Sequence, residues 1–326
     1  YGVFAERHHE FNNSWRGEFG LRYNRVEMDA GKVDGTPANM GPGQMLRDAF
    51  NSAQRDQDDN NVDLVARAWY ESGPRTSWYA GVAQKHRSPS YQERYLWLPL
   101  EATGGLADGN TYTGNINLDP EVSRQIEFGL DYSDDRFTVS PRVFYSYVDD
   151  YIQGTPSAAA PGAATPGNVA PAVMFVRMMN QMNGSNNPDP LQFNNVDAEL
   201  YGFDMDWALR LDENWMLSGL LNYVRGKRDD SSNEDLYRIA PPNATLRLHY
   251  ASGKWTAQAE SVLYAEQDDV SKVNNEQRTS GYGLVNLNTT WQATQRLQLA
   301  AGVDNLFDKK YDCLLYTSPS PRDHLS

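Results

Sequence analysis

The feature that most constrains this chain is an alternation of apolar and polar residues with a period of two, sustained over most of its length. Between Gln125 and Tyr132, the residues Ile126, Phe128, Leu130 and Tyr132 alternate with Gln125, Glu127, Gly129 and Asp131. Further on, Tyr201, Phe203, Met205, Trp207 and Leu209 alternate with Gly202, Asp204, Asp206, Ala208 and Arg210, and Leu297, Leu299, Ala301 and Val303 alternate with Gln298, Ala300, Gly302 and Asp304. Successive side chains of a strand point to opposite faces, so each segment is a strand with one greasy and one wet face. About twelve such strands are expected, at roughly 1–9, 15–29, 61–71, 77–86, 122–133, 136–152, 194–211, 214–227, 239–251, 254–267, 282–292 and 295–304.

The connections alternate as well. Short links fall at 11–14, 72–76, 133–135, 212–213, 252–253 and 293–294, and long ones at 30–60, 87–121, 153–193, 228–238 and 268–281. In a closed antiparallel barrel every second connection emerges on the same side. Membrane barrels keep short turns on one side and long loops on the other, and they use strands of about ten residues tilted across the bilayer. Trp15, Trp78, Phe137, Trp215, Trp255 and Trp291 each lie beside a short link. Rings with a dry body and a polar tip settle at the headgroup level, where they form the girdles of such barrels. The polar faces carry Arg67, Glu71, Glu127, Arg142, Asp204, Asp206, Arg210, Arg247, Gln258 and Glu260. A sandwich core would bury these charges at several kcal/mol per ion, whereas a wet lumen accepts them. The expected fold is therefore all-β: a partial antiparallel transmembrane β-barrel with long extracellular loops.

Composition excludes other classes. With 29 Lys plus Arg against 43 Asp plus Glu, the net charge is −14, the wrong sign for a nucleic-acid binder. No stretch approaches the roughly 20 apolar residues of a membrane helix. The one cysteine, Cys313, excludes a disulfide scaffold. No signal peptide precedes the strand-like Tyr1-Gly-Val-Phe-Ala-Glu6, so the chain is expected to be a fragment or a processed piece.

The segments Arg87-Ser-Pro-Ser-Tyr-Gln-Glu-Arg-Tyr95, Gly114-Asn-Ile-Asn-Leu-Asp-Pro-Glu-Val-Ser123 and Glu127-Phe-Gly129, with the near-terminal Val303-Asp-Asn-Leu-Phe-Asp-Lys-Lys-Tyr311, resemble the β-barrel half of TonB-dependent outer-membrane receptors. The resemblance covers roughly residues 1–311 and extends to Gly20-Leu-Arg-Tyr23. It implies a barrel of about 22 strands around a plug, of which this chain supplies the later part. It further implies a Gram-negative outer membrane, contact with its lipid, energy coupling through the TonB complex by way of a plug domain this chain lacks, and uptake of a small metal or metal-chelate ligand. A ferric siderophore is the first expectation for that ligand and copper the second. No cofactor, no nucleic-acid partner and no enzyme activity are expected. A passive porin-like or adhesion barrel and a rim-catalysing barrel enzyme are the alternatives. After Tyr311 the pattern breaks, and residues 312–326, with two prolines and no period, read as a non-native, disordered tail.

Candidate ligand residues lie in the long loops. Arg87, Tyr91, Arg94, Tyr95, Trp97 and Tyr112, together with Arg177, offer rings and guanidinium groups for an anionic chelate. Alternatively, the rings pack the loops together and the arginines offset nearby acids. Met174, Met178, Met179 and Met182 supply four thioethers, a soft set suited to Cu(I). The same methionines would also fill an irregular apolar gap. The acidic stretches 56–61, 228–235 and 266–269 read as solvated loops, with calcium bridging as the alternative. His8, His9, His86, His249 and His324 are expected to be structural or solvated, with His86 the sole nucleus an enzyme reading would have.

Overall fold

The structure is a computed structural model that describes residues 1–34, 41–98, 109–156, 177–178, 180–182, 184, 188–230 and 234–311. The elements along the chain are β1 (Gly2–Asn12), β2 (Trp15–Met28), α1 (Gly41–Ser52), β3 (Gln57–Gly73), β4 (Thr76–Arg87), α2 (Tyr91–Tyr95), β5 (Tyr112–Thr113) and β6 (Glu121–Ser133). They continue as β7 (Phe137–Pro156), β8 (Leu191–Arg210), β9 (Trp215–Arg228), β10 (Asn243–Ser252), β11 (Trp255–Tyr264), β12 (Tyr282–Gln292) and β13 (Gln298–Val303). All the strands form one 13-stranded sheet. Apart from β5, each strand pairs antiparallel with its neighbour in chain order, so the path is a continuous meander from β1 to β13.

Every strand expected from the alternation is present. The strands differ mainly in reach: β3 starts at Gln57, β7 runs on to Pro156, and β10 begins only at Asn243. Two of the long connections carry the helices α1 and α2, and the one with α2 also carries β5, which pairs parallel with β8 through Tyr112↔Leu191 and Thr113↔Gln192. The expected tail at 312–326 lies outside the described residues.

The short turns share a device. The Asn12 side chain accepts hydrogen bonds from the N–H groups of Ser14 and Trp15 at 2.9 and 3.0 Å. Asp134 does the same for Arg136 and Phe137 at 2.8 and 2.7 Å, and Asp212 for Asn214 and Trp215 at 2.8 and 2.9 Å. Thr294 repeats it for Arg296 and Leu297 at 3.2 and 3.1 Å. A side-chain oxygen thus replaces a backbone acceptor and closes the hairpin tightly, which places an aromatic ring directly above three of these turns.

Directly opposed residues in an antiparallel ladder share a face, so the register sorts the two walls. On one wall the row Leu21↔Leu64 and the row Val82↔Ile126↔Tyr145↔Tyr201 lie together. Its side chains are open, with Ile126 59% and Val82 55% exposed. Among the described residues, this face of β2 to β13 holds no Asp, Glu, Lys, Arg or His over the run of each strand next to the short turns; the run ends on β4 at His86 and on β6 already at Arg124, two residues beyond Ile126 and opposite Tyr147. On β3 that band runs from Tyr70 to Val62, about 27 Å along the strand and about 21 Å across a bilayer at a tilt of about 40°. β1 departs from the rule, because Arg7 pairs with Phe19 and His9 with Gly17 on this face.

The ring pairs above the turns form a girdle. Trp15 stacks on Tyr70 at 4.7 Å, Trp78 meets Phe128 at 5.8 Å, Trp215 meets Tyr250 at 4.7 Å, and Trp255 stacks on Trp291 at 5.5 Å.

The opposite wall is laced with charge. Arg67 pairs with Glu18 at 2.9 Å, Arg142 with Asp131 at 2.6 Å, and Arg247 with Glu260 at 2.6 Å. Tyr79 donates to Glu127 at 2.9 Å, and Arg142 lies over the Tyr79 ring at 5.1 Å. Gly129 stands opposite Arg142 in the ladder, and a Cβ there would overlap the Arg142 side chain. The glycine opens room for the guanidinium to lie along the wall.

Candidate ligand vestibule

The described parts of the long loops do not hang free. They pack with the loop-side ends of the strands into three small cores. One joins Tyr112, Leu118, Ile152, Leu191 and Phe193. A second joins Phe50 of α1, Tyr95 of α2 and Ile116, with Met28, Val33 and Trp97 packed against it. The third joins Val148, Ala198 and Leu236. The first two cores draw on separate connections, so burial of apolar area in one loop depends on its neighbours, whereas the third sets Leu236 against Val148 of β7 and Ala198 of β8.

α2 shows how the sequence sets this locally. Ser90 and Glu93 form a reciprocal capping box: the Glu93 N–H donates to Ser90 Oγ at 3.3 Å, and the Ser90 N–H donates to Glu93 Oε2 at 2.6 Å. The same Glu93 accepts from Arg87 Nη1 at 3.0 Å, while Arg87 grips Glu121 through Nε at 2.7 Å and Nη2 at 2.6 Å. This fork ties the end of β4 to α2 and to the start of β6. Burial alone would push the Glu93 carboxyl up, but the Arg87 guanidinium and the Ser90 N–H outweigh it, and the net displacement is downward.

The candidate residues separate into two groups. Arg94, Tyr95 and Tyr112 are buried, at 2%, 5% and 1% exposure. Arg94 Nη2 donates to Asp59 Oδ1 at 2.6 Å and to the Leu118 carbonyl at 3.0 Å, which locks α2 to β3. The Tyr95 hydroxyl lies between the carbonyls of Arg55 and Met28, at 2.7 and 3.1 Å. Tyr112 stacks on Phe193 at 5.1 Å. For these three side chains, and for Trp97 in the second core, the geometry is that of loop packing and charge offset. Tyr91 is 58% exposed and lies against Tyr95 at 4.9 Å. The Arg87 side chain is 46% exposed, and Arg177, 53% exposed, pairs with Asp189 at 2.8 Å.

Met178 and Met182 are open, at 47% and 73%, each at a helical position, and their spacing of four would set them on one face of a helix. Met174 and Met179 lie outside the described residues.

The acidic stretches meet arginines. Arg225 reaches Asp235 at 3.1 Å and also Asp269, Arg228 pairs with Asp230, and Arg25 reaches Asp58 at 3.4 Å. Glu276 accepts from the Ser271 N–H at 2.8 Å and the Arg238 N–H at 3.1 Å, and burial pushes its carboxyl up in spite of them.

An asparagine hub that the sequence did not suggest joins the loops. Asn274, 2% exposed, accepts from Gln153 Nε2 at 3.0 Å and from Ser271 Oγ at 2.9 Å through its side-chain oxygen. Its own amide donates to the Gly154 carbonyl at 3.2 Å, and its carbonyl accepts from Asn110 at 2.8 Å. Asn180 adds a bond to Thr111 Oγ1 at 2.7 Å. Polar residues in a long loop carry no periodic signal, so only the assembled structure reveals them.

His86 Nδ1 lies 3.3 Å from Asp63, whose carboxylate also accepts from the His86 N–H at 2.8 Å. His249 Nε2 lies 3.0 Å from Ser218 Oγ on the polar wall.

A family model described as TonB dependent receptor-like, beta-barrel matches residues 1–306. Among curated proteins, the chain is 24% identical over 286 residues to the ferric enterobactin receptor of Pseudomonas aeruginosa, covering 82% of this chain and 36% of that protein. It is 23% identical over 245 residues to the ferrienterobactin receptor of Escherichia coli strain K12, covering 71% of this chain and 30% of that protein. Among solved structures, the copper transporter OprC superposes with a TM-score of 0.73 at 24% identity, covering 97% of this chain and 42% of that one. The ferric enterobactin receptor PfeA of P. aeruginosa, a mutant in complex with enterobactin, gives 0.64 at 21% identity, covering 94% and 40%. The chain thus spans about a third of the length of the curated relatives it matches.

Proposed function

From the premise that this chain belongs to the TonB-dependent receptor-like β-barrel family, we propose that it forms part of the wall and outer vestibule of a Gram-negative outer-membrane receptor that imports a metal or metal chelate. The observation that carries this is the sorting of the two walls. One is free of Asp, Glu, Lys, Arg and His over the run above the short turns on every strand but β1, the run being shortest on β6, where Arg124 follows Ile126 on the same face, and the other is stitched by Arg67–Glu18, Arg142–Asp131 and Arg247–Glu260. Lipid wets the first wall and water the second. The shallow grooves of about 750 and 630 Å³ lie on the lipid side, among Phe19, Leu21, Val82 and Ile126 and among Leu248, Ala259 and Leu287, where acyl chains fill them. They are no part of the ligand site.

Ligand meets the loops through their open side chains: Arg87, Tyr91, Arg177, Met178 and Met182. Arginine and tyrosine suit an anionic, ring-bearing chelate, so a ferric siderophore is the first cargo. Exposed Met178 and Met182, spaced for one face of a helix, support copper as the second. The barrel carries out no chemical step. A plug domain elsewhere in the protein couples it to the TonB complex.

The test is uptake by cells that carry the intact gene, with iron supplied as a catecholate chelate or copper as the free ion. Accumulation of one metal that stops when the proton gradient is collapsed supports an energised receptor. Accumulation that persists without the gradient supports a passive pore and refutes the proposal. His86→Ala is expected to leave uptake unchanged, whereas a rim enzyme centred on His86 would lose all its activity.

A further inference from the structure

We propose that Glu6, His8 and Glu18 form a cation site on the luminal wall, of a kind suited to a first-row divalent ion such as Zn²⁺. Three features of the β1–β2 hairpin assemble it. His8 and Glu18 are direct partners in the ladder. Glu6 is two residues from His8 on the same strand and therefore on the same face. That face is the polar one, because the neighbouring Glu18↔Arg67 pair lies on it. His8 Nε2 lies 2.6 Å from Glu6 Oε1, and His8 Nδ1 lies 3.8 Å from Glu18 Oε2. One ligand atom from each residue falls within 4.8 Å of the other two. A single ion at ordinary bond lengths of about 2.0–2.2 Å can therefore be reached by all three after small side-chain rotations.

The donor set selects the ion. One imidazole nitrogen and two carboxylate oxygens make a borderline site that favours Zn²⁺ and its neighbours, in contrast to the all-oxygen cages of calcium and the sulfur ligands of Cu(I). The His8 side chain is 71% exposed and Glu6 49%, so water can fill the remaining positions. Glu18 is only 20% exposed, and Arg67 holds its other oxygen, Oε1, at 2.9 Å. Arg67 thus competes with a bound ion for the Glu18 carboxylate. Its positive charge also weakens the hold on a cation, which gives a site that releases what it binds. The site depends on the barrel's sidedness and not on which cargo the receptor imports.

The experiment is calorimetric titration of ZnCl₂ into the intact receptor in detergent, with heat-modifiable gel migration as the check that each variant is a folded barrel. Wild type is expected to bind one more Zn²⁺ per chain than His8→Ala or Glu6→Gln. Arg67→Met is expected to tighten that site by roughly tenfold, because it removes a like charge beside the ion. If the two carboxylates merely hold a protonated imidazole, removing Arg67 gives no such gain. The proposal is overturned by equal Zn²⁺ stoichiometry in wild type and His8→Ala, or by an affinity that Arg67→Met leaves unchanged or lowers.

Discussion

Replacing Arg94 by methionine tests whether the vestibule is a self-supporting structure or a set of ligand-facing arms. The Arg94 side chain is 1% exposed and its partner Asp59 5%. Methionine keeps most of the volume but strands the Asp59 carboxylate without its counter-ion in a dry site. Breaking one side of a buried pair costs about 3–5 kcal/mol. The lower end applies here, because Asp59 Oδ2 and Arg94 Nε already have no partner in the intact pair. About 3 kcal/mol corresponds to a little over a hundredfold in a local opening equilibrium. That cost falls on α2 and on Leu118, whose carbonyl loses its bond at 3.0 Å. Hydrogen exchange on the intact receptor in detergent should therefore show peptides from 91–98 and 109–121 losing about a hundredfold in protection, with the strands below unchanged. Removing both charges, in Arg94→Met with Asp59→Leu, should restore most of that protection, since an apolar pair of similar size is often no worse than the ion pair it replaces. The reasoning fails if the single variant exchanges like wild type, or if the double variant is as open as the single one.

Other perturbations address the walls and the loops separately. Ala66→Arg places a charge midway along the Tyr70–Val62 band of the lipid face and should cost about 2–4 kcal/mol in urea unfolding from lipid vesicles, while Gln125→Arg on the luminal face should stay within about 0.5 kcal/mol. Glu93 has a carboxyl held below its ordinary value, so its contribution is complete above the usual carboxylate range and fades as pH falls through the lowered folded value. Proteolysis of the 88–98 loop should accordingly rise with acid in wild type, and Glu93→Gln should flatten that dependence by removing the titrating group. Combined Met174→Leu, Met178→Leu and Met182→Leu should lower Cu(I) affinity by at least about tenfold if those thioethers bind copper; an unchanged Cu(I) titration ends the copper proposal.

The strands were legible because lipid and water impose opposite demands on alternate residues, and a slip of one residue would invert both walls. The hairpins were legible too: Asn12, Asp134 and Asp212 mark short turns by chemistry that acts over two or three residues. The loops were not. Arg94 binds Asp59 across 35 positions and Asn110 binds Asn274 across 164, distances over which no local pattern operates. An arginine beside Tyr91 and Tyr95 reads equally well as a ligand clamp or as a buried brace, and burial alone separates the two. The luminal cluster lies between these cases. Glu6 and His8 share a face by period, and the tight turn after Asn12 sets the register that brings Glu18 opposite. Counting back from that turn would have found it.

The same contrast bears on where selectivity can reside. The lipid-facing wall is constrained by hydrocarbon, and the luminal wall is committed to ion pairs that span neighbouring strands. The described parts of the loops hold together through Arg87, Arg94, Asn274 and three small cores, so the shape of those parts does not depend on a ligand. A ligand entering such a vestibule does not have to order it, and more of its contact energy appears as affinity. Selectivity then rests with the few side chains that the packing leaves uncommitted. Tyr91 illustrates this: its ring is braced by Tyr95 at 4.9 Å while more than half of it remains open. On the proposed function, changing such a residue is expected to alter what the vestibule grips, whereas changing Arg94 or Asn274 is expected to alter whether there is a vestibule at all.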